Sequence, residues 1–171
     1  KYFEASLSDK KTDIHRIAKA LYGLASLKQP VLVKINLVKT NSELNLEDKI
    51  YLGLALAKLG DKENARQIYI EAIRPQVRFQ GPDGWLAQES DQTKQVKLTS
   101  AIAVLASYLN IGGDKEALWN YMSEHNPIRD LNVLERVMIA KIELARAQTK
   151  NETVRFSYQL GSKKESIKLK N

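Results

Sequence analysis

The sequence contains no cysteine. That excludes a disulfide framework, a zinc–thiolate centre, a cysteine nucleophile and a cysteine-based thioester. It does not fix a compartment, because secreted and cytosolic proteins alike can do without the residue. No run of 18 apolar residues occurs, so no segment is expected to insert into a membrane as a spanning helix. The first residue is Lys1, with no methionine and no signal-peptide pattern behind it. The chain therefore reads as a piece of a longer protein whose export signal would lie elsewhere. Only two histidines are present, His15 and His125, and neither has a second ligand at helical spacing, so no metal site is expected. A glycine-rich phosphate loop, a nucleophile elbow and a zinc-binding helix motif are all missing, and no cofactor is expected.

What is present suits a folded domain. A chain of 171 residues can bury about 70% of its unfolded surface and needs no covalent staples. Its 43% apolar and 27% charged content is ordinary for a globular protein. The net charge is +7, but lysine dominates and is mixed with Glu and Asp in almost every segment. A nucleic-acid surface would gather arginines and aromatic residues on one stripe. The densest basic group, Lys163, Lys164, Lys168 and Lys170, reads as solvated surface, and nucleic acid is not expected as a partner.

Seven helical patterns can be read. Asp13 can cap the first, over 13–27, with Ile14, Ile17, Ala18, Leu21, Leu24 and Ala25 on one face. Pro30 fits the first turn of a second, ending near Lys39. Asn45, with Asp48 three residues on, caps a third that stops at Gly60. Asp61 caps a fourth ending near Arg74 and Pro75. A connection of some 17 residues is expected next, containing "FQGPDGWLAQESDQ" over 79–92. A fifth helix over 93–110 stops at Gly112 and Gly113, Asp114 caps a sixth, and Asp130 or Asn132 caps a seventh running to about Ala147. From Val154 onward the period changes to two, with Gly161 and Ser162 between the alternating runs, which predicts a β-hairpin.

Two segments, "IYLGLALAKL" and "LTSAIAVLASYL", are apolar nearly all round and are expected to be buried between neighbours. Each leads through a Gly-Asp-Lys-Glu stretch into a more amphipathic helix, and the two aspartates, Asp61 and Asp114, lie 53 residues apart. Repeated helical hairpins point to a solenoid or a closed ring. Gly53, Gly60, Asp61, Ala65, Tyr69 and Ala72 resemble one tetratricopeptide unit. No second unit begins in phase 34 residues to either side.

A longer resemblance runs from about Leu46 to Leu160. The order "GWLAQESDQTKQVKLTSAIAVLASYL", a short helix, "LNVLERVMIAKIELARAQ" and the strand "VRFSYQL" is similar to the alpha-2-macroglobulin and complement family. The similar part is the later half of its thioester-type domain, an α/α toroid of terpenoid cyclase-like fold. The resemblance implies an all-α fold of antiparallel helical hairpins, a partial ring, with a short C-terminal β-hairpin. It implies a helical domain over 1–150, and a hairpin over 151–171 at the junction with a following domain. It further implies a secreted or cell-surface bacterial protein, whose partners are the other domains of the same chain and protein ligands. The family's thioester requires a cysteine that this chain lacks, and seven helices are too few for its closed ring. A half-ring or a shortened, non-catalytic relative is implied.

Enzymatic alternatives rest on the long connection. Asp83, Glu89 and Asp91 are the grouped carboxylates, and toroidal glycosidases set an acid and a base on such rims with a tryptophan as sugar platform. Against this, Asp83 in Pro-Asp-Gly is an ordinary turn residue, and Ser90 or Asp91 is a good helix cap. Trp119, Tyr121 and Met122 read as core, and Glu135 and Glu143 as solvated partners of Arg136, Lys141 or Arg146. The expectation is a non-catalytic structural and interaction module. Its candidate binding residues are Trp85, Asp83 and Glu89, and its alternatives are a tetratricopeptide-type peptide scaffold and a toroidal carbohydrate enzyme.

Overall fold

The computed structural model describes residues 13–87, 89–125, 154–160 and 163–169. The seventh helical pattern, with its caps and Glu135 and Glu143, lies outside the described residues. Within them the chain is mostly helical. It runs α1 (Ile14–Ser26), α2 (Leu32–Val38), α3 (Leu46–Lys58) and α4 (Lys62–Ile68), then a π-helical segment (Tyr69–Ile73) and a 3-10 turn (Arg74–Gln76). There follow β1 (Val77–Gln80), β2 (Asp83–Leu86), α5 (Gln92–Leu109), α6 (Gly112–His125), β3 (Val154–Leu160) and β4 (Lys163–Leu169).

Helices α1, α3 and α5 pack side by side in a row, α3 in the middle. Helix α4 returns along α3, and α6 along α5. This explains the two nearly all-apolar sequences. Leu52, Leu54, Ala55 and Leu56 of α3 are wholly buried, as are Ile102, Ala103, Leu105 and Ala106 of α5. Helix α3 lies between α1 and α5 under α4, and α5 lies between α3 and α6 with β2 against it, so neither has much surface left to carry polar residues. Gly53 belongs to this packing. A Cβ there would lie 2.9 Å from a methyl of Leu105 on α5 and 3.9 Å from Ile68 on α4. The small residue thus serves the approach of two neighbouring hairpins rather than of two helices within one.

The helix starts follow the side-chain chemistry. Asp13 accepts from the N–H of His15, Asp61 from that of Asn64, and Asp91 from those of Thr93 and Lys94. Asn45 and Asp48 form a reciprocal capping box. Pro30 stands before the helix and not in its first turn, since α2 begins at Leu32 with Val31 at its cap position.

The helix ends hold a regularity. Lys28, Gly60 and Asn110 all take positive φ, at 59°, 87° and 53°. In each case the next N–H reaches back to close the helix: Gln29 to the Leu24 carbonyl, Asp61 to Leu56, and Ile111 to Ala106, all at 3.0 Å. All three helices of the row end in the same left-handed closure. This corrects the expected stop at Gly112 and Gly113. Asn110, which tolerates that conformation, ends α5, and the two glycines open α6. Asp114 therefore lies inside the first turn of α6 and is not its cap.

The expected long connection is also corrected. Residues 77–86 form a tight antiparallel hairpin, Val77 opposite Leu86 and Gln80 opposite Asp83. Only Gly81 and Pro82 connect the strands, and Gly81 takes φ +60°, as the first place of such a turn demands. Phe79 pairs with Gly84, and its ring lies over the bare glycine, 3.0 Å from where a Cβ would stand. Ala117 of α6 also comes within 3.2 Å of that position. Leu86 is buried, and its N–H donates to the Thr99 hydroxyl of α5. The Asn120 side-chain amide donates to the Pro82 carbonyl at 2.9 Å and holds the turn against α6. The C-terminal hairpin forms as its period-two pattern predicts, Val154 opposite Leu169 and Leu160 opposite Lys163.

Candidate functional site

Alternation along β2 and its pairing with β1 place Arg78, Gln80, Asp83 and Trp85 on one face of the hairpin, and Val77, Phe79, Gly84 and Leu86 on the other. The second face meets the core through Val77 and Leu86, while Phe79 stays exposed. The first looks toward the C-terminal half of α6, where Tyr121 and His125 stand one turn apart. Gln80, Asp83, Trp85, Tyr121 and His125 line an open cleft of about 430 Å³.

The rings in this cleft are ordered by stacking. Trp85 and Tyr121 lie with centroids 5.4 Å apart and planes inclined by 20°, and Tyr121 and His125 at 4.2 Å and 15°. The Arg78 guanidinium stands 6.0 Å over the Trp85 ring. Beneath the rings, Val96, Tyr121 and Met122 form a small apolar cluster of their own, against which Trp85 packs while only half-buried. The Tyr121 hydroxyl donates to the Gln95 amide oxygen at 2.6 Å, and the Gln95 nitrogen donates to the carbonyl of Leu86 at 2.9 Å. This chain of bonds fixes the Tyr121 ring relative to the strand that carries Trp85. Burial, and after it the negative charge of Asp83, raise the Tyr121 hydroxyl above its ordinary pKa. The His125 Nδ1 lies 3.1 Å from the Tyr121 carbonyl. A carbonyl only accepts, so Nδ1 carries the proton in that bond.

Asp83 is the unusual member. Its Oδ1 is buried and has no hydrogen-bond partner among the described residues. The other expected site residue, Glu89, lies elsewhere. It lines a separate cleft of about 240 Å³ with Asn45, Leu46, Glu47, Leu86, Lys94 and Leu98. Its carboxylate pairs with Lys94 at 2.8 Å. The hydrogen bond from Lys94 holds the Glu89 carboxyl below its ordinary range. The structure thus brings Trp85 and Asp83 together and sets Glu89 apart from them. Asp91, the third carboxylate of the segment, is spent on capping α5.

Sequence reasoning missed Tyr121 and His125 as companions of Trp85. Tyr121 was read as core, and it is indeed buried, but its ring also forms the wall of the cleft. The available signal was the i, i+4 spacing of Tyr121 and His125 on one helix, which stacks the two rings.

Comparison with protein-family models, curated proteins and solved structures finds nothing that matches the chain. The functional argument therefore rests on the residues. The other histidine does not line this cleft. His15 lies at the start of α1, its Nδ1 2.5 Å from the Asp48 carboxylate, in contact with the capping box of α3. Among the described residues no three His, Asp or Glu side chains converge as a metal site would require.

Proposed function

We propose that this chain is a non-catalytic structural and interaction module, part of an α/α toroid in a macroglobulin-like secreted or surface protein of a bacterium. One observation carries the non-catalytic half of this reading: the carboxylates of the 79–92 segment are dispersed. Glu89 is held ionised by Lys94 and Asp91 caps α5, which leaves Asp83, among the described residues, as the one carboxylate lining the aromatic cleft. The paired-carboxylate chemistry of a glycosidase needs two carboxyl groups flanking one bond, and the segment does not supply them. The row of α1, α3 and α5 with α4 and α6 returning beside it is compatible with a segment of ring, and the resemblance to the macroglobulin family supports that choice.

The alternatives draw less support. A tetratricopeptide array would start its next helical pair 34 residues after the last. Here the chain leaves α4 through a π-helix and a β-hairpin, and the next pair opens only at Gln92. A sugar platform wants a free aromatic face, whereas Trp85 lies against Tyr121 and under Arg78. The test is a screen of the chain against glycan and peptide substrates. The expected result is no turnover. Turnover that disappears in Asp83→Asn would overturn the reading and place the chain among the carbohydrate-active or peptide-cleaving enzymes.

A further inference from the structure

The aromatic cleft has a chemistry that selects one class of ligand. A carboxylate oxygen buried without a donor is unfavourable, and the imbalance is relieved when a hydrogen-bond donor arrives, most of all a charged one. Among the described residues nothing donates to the buried Asp83 Oδ1, and the same carboxylate lines the cleft. Around it stand the stacked rings of Trp85, Tyr121 and His125 and the side-chain amide of Gln80. The amide oxygen of Gln80 accepts hydrogen bonds beside the Asp83 carboxylate, so both polar groups of the hairpin face offer acceptors to a donor. Arg78 already shows the preference from outside, with its guanidinium placed over the Trp85 ring. An anion would meet Asp83 unfavourably. A neutral sugar would leave the carboxylate charge without a partner.

We propose that the cleft bounded by Gln80, Asp83, Trp85, Tyr121 and His125 binds an organic cation that carries N–H donors, a guanidinium or primary ammonium group. The N–H groups meet the Asp83 carboxylate and the Gln80 amide oxygen, and the flank of the cation lies against the edges of the stacked rings. At about 430 Å³ the cleft is at the small end of ligand sites, sized for one side chain or one small amine rather than an extended ligand. This deepens the interaction-module reading and rests on it, since a catalytic Asp83 would put the same carboxylate to a different use.

The experiment follows Trp85 fluorescence in a Trp119→Phe background. The chain is titrated with N-acetyl-arginine amide, methylguanidinium, acetyl-Gly-Arg-Gly amide and the neutral isostere N-acetyl-citrulline amide. The arginine derivative should give a saturable change, with citrulline at least about tenfold weaker and Asp83→Asn weakening the arginine derivative about tenfold, because a charge-assisted hydrogen bond is lost in each case. The source of the cation is read from two arms. Equal affinity for methylguanidinium and the arginyl peptide assigns a free amine or guanidine, and a tenfold preference for the peptide assigns a side chain borne by a partner polypeptide. No saturable change, equal binding of citrulline, or an Asp83→Asn chain that binds as before would each overturn the proposal. Should Asp83→Asn fail to fold, the arginine–citrulline comparison on the parent chain decides alone. Failure of these titrations with no turnover in the substrate screen leaves the non-catalytic reading standing, so the two fail separately.

Discussion

The buried hydroxyl of Tyr69 donates to the Asp114 carboxylate at 3.0 Å, joining the start of the π-helical segment to the first turn of α6. Arg74 completes the arrangement through its Nε at 2.7 Å and an Nη2 at 3.3 Å on the same carboxylate. Tyr69 is wholly buried, and burial together with the Asp114 charge keeps its hydroxyl protonated far above the ordinary tyrosine range. Removing the acceptor is therefore worse than removing the donor. Tyr69→Phe deletes one hydrogen bond and should cost about 1 kcal/mol. Asp114→Ala leaves a buried hydroxyl without a partner and should cost about 2–3 kcal/mol in urea denaturation. The double variant should cost less than the two single changes together, because both report the same bond. Strict additivity would show that the contact contributes nothing.

The three left-handed helix ends make a second expectation. Only Gly60 is a glycine; Lys28 and Asn110 occupy the same conformation with a side chain attached. For an L-residue that conformation costs roughly 1–2 kcal/mol, least for asparagine. Lys28→Gly should thus stabilise the chain by up to about 1 kcal/mol, and Gly60→Ala should destabilise it by a similar amount. A Cβ at Gly60 would meet nothing within 4 Å, so the loss would be conformational and not steric. A rise in melting temperature for Lys28→Gly is the decisive reading, and a fall would contradict the equivalence of the three ends.

These positions also show how far the sequence could be read. Helix existence was legible because apolar spacing and polar caps act locally: Asp13, Asn45, Asp61 and Asp91 each do what their residue type favours. The end of α5 near Asn110 was legible too, but not the residue that closes it, because glycine is the usual mark of a left-handed end and Gly112 stands two residues beyond Asn110. Asp114 misled for a related reason. Its place after two glycines looks like a cap, and only the folded chain shows Tyr69 and Arg74 waiting for it. The hairpin at 77–86 was hidden by its brevity, four residues a strand with a two-residue turn, which carries too few alternations to stand out. At the cleft, Trp85 and Asp83 were found because they are close in sequence and alternate on one strand. Tyr121 and His125 come from another element, and their arrival depends on how α6 packs on β2.

The contact between α1 and α3 is expected to depend on pH. The hydrogen bond to the Asp48 carboxylate, foremost, raises the pKa of His15 above 6.5, with the charges of Asp48 and Asp13 acting in the same direction and burial and Lys19 against it. The group binds its proton more tightly when folded. Its contribution is fully present below the unfolded value near 6.5 and is lost as pH rises through the folded pKa. Denaturation midpoints measured on both sides of that interval should fall as pH rises, and His15→Gln should remove this part of the fall. An unchanged slope in His15→Gln would show that the pair contributes nothing to the pH dependence.

The C-terminal hairpin makes a different kind of expectation. Strands β3 and β4 form a two-stranded sheet, a unit that on its own is marginal in water. The proposed position at a junction with a following domain would leave part of its apolar cover to that neighbour. Amides of 154–160 and 163–169 should therefore exchange with solvent faster than those of α3 and α5. Protection equal to that of α3 would make the hairpin integral to the helical body and count against the junction.

Trp85 and its neighbour Leu86 allow the hairpin's anchor to be identified. The sequence alone suggests Trp85 as the apolar pin of a long loop, with a large penalty for its removal. The folded chain divides that role. Leu86 is 2% exposed, points into the main core and has its backbone tied to Thr99 and Gln95 of α5. Trp85, on the opposite face, is half-buried, stacks on Tyr121 and belongs to the smaller cluster around Val96 and Met122. A fully buried leucine truncated to alanine leaves a cavity and costs about 2–5 kcal/mol. A half-buried tryptophan loses part of its burial and a stacking contact of about 1 kcal/mol, so Trp85→Ala should cost about 2 kcal/mol, between the values for a free rim residue and a core one. Chemical denaturation of Leu86→Ala and Trp85→Ala, with acrylamide quenching of Trp85 in a Trp119→Phe background, separates the roles. The expected pattern is the larger loss for Leu86→Ala and partial quenching of Trp85. A larger loss for Trp85→Ala would restore the tryptophan as the anchor. A neutral Trp85→Ala with free quenching would make it a rim residue, and its ring would then be open to a ligand without competition from the fold.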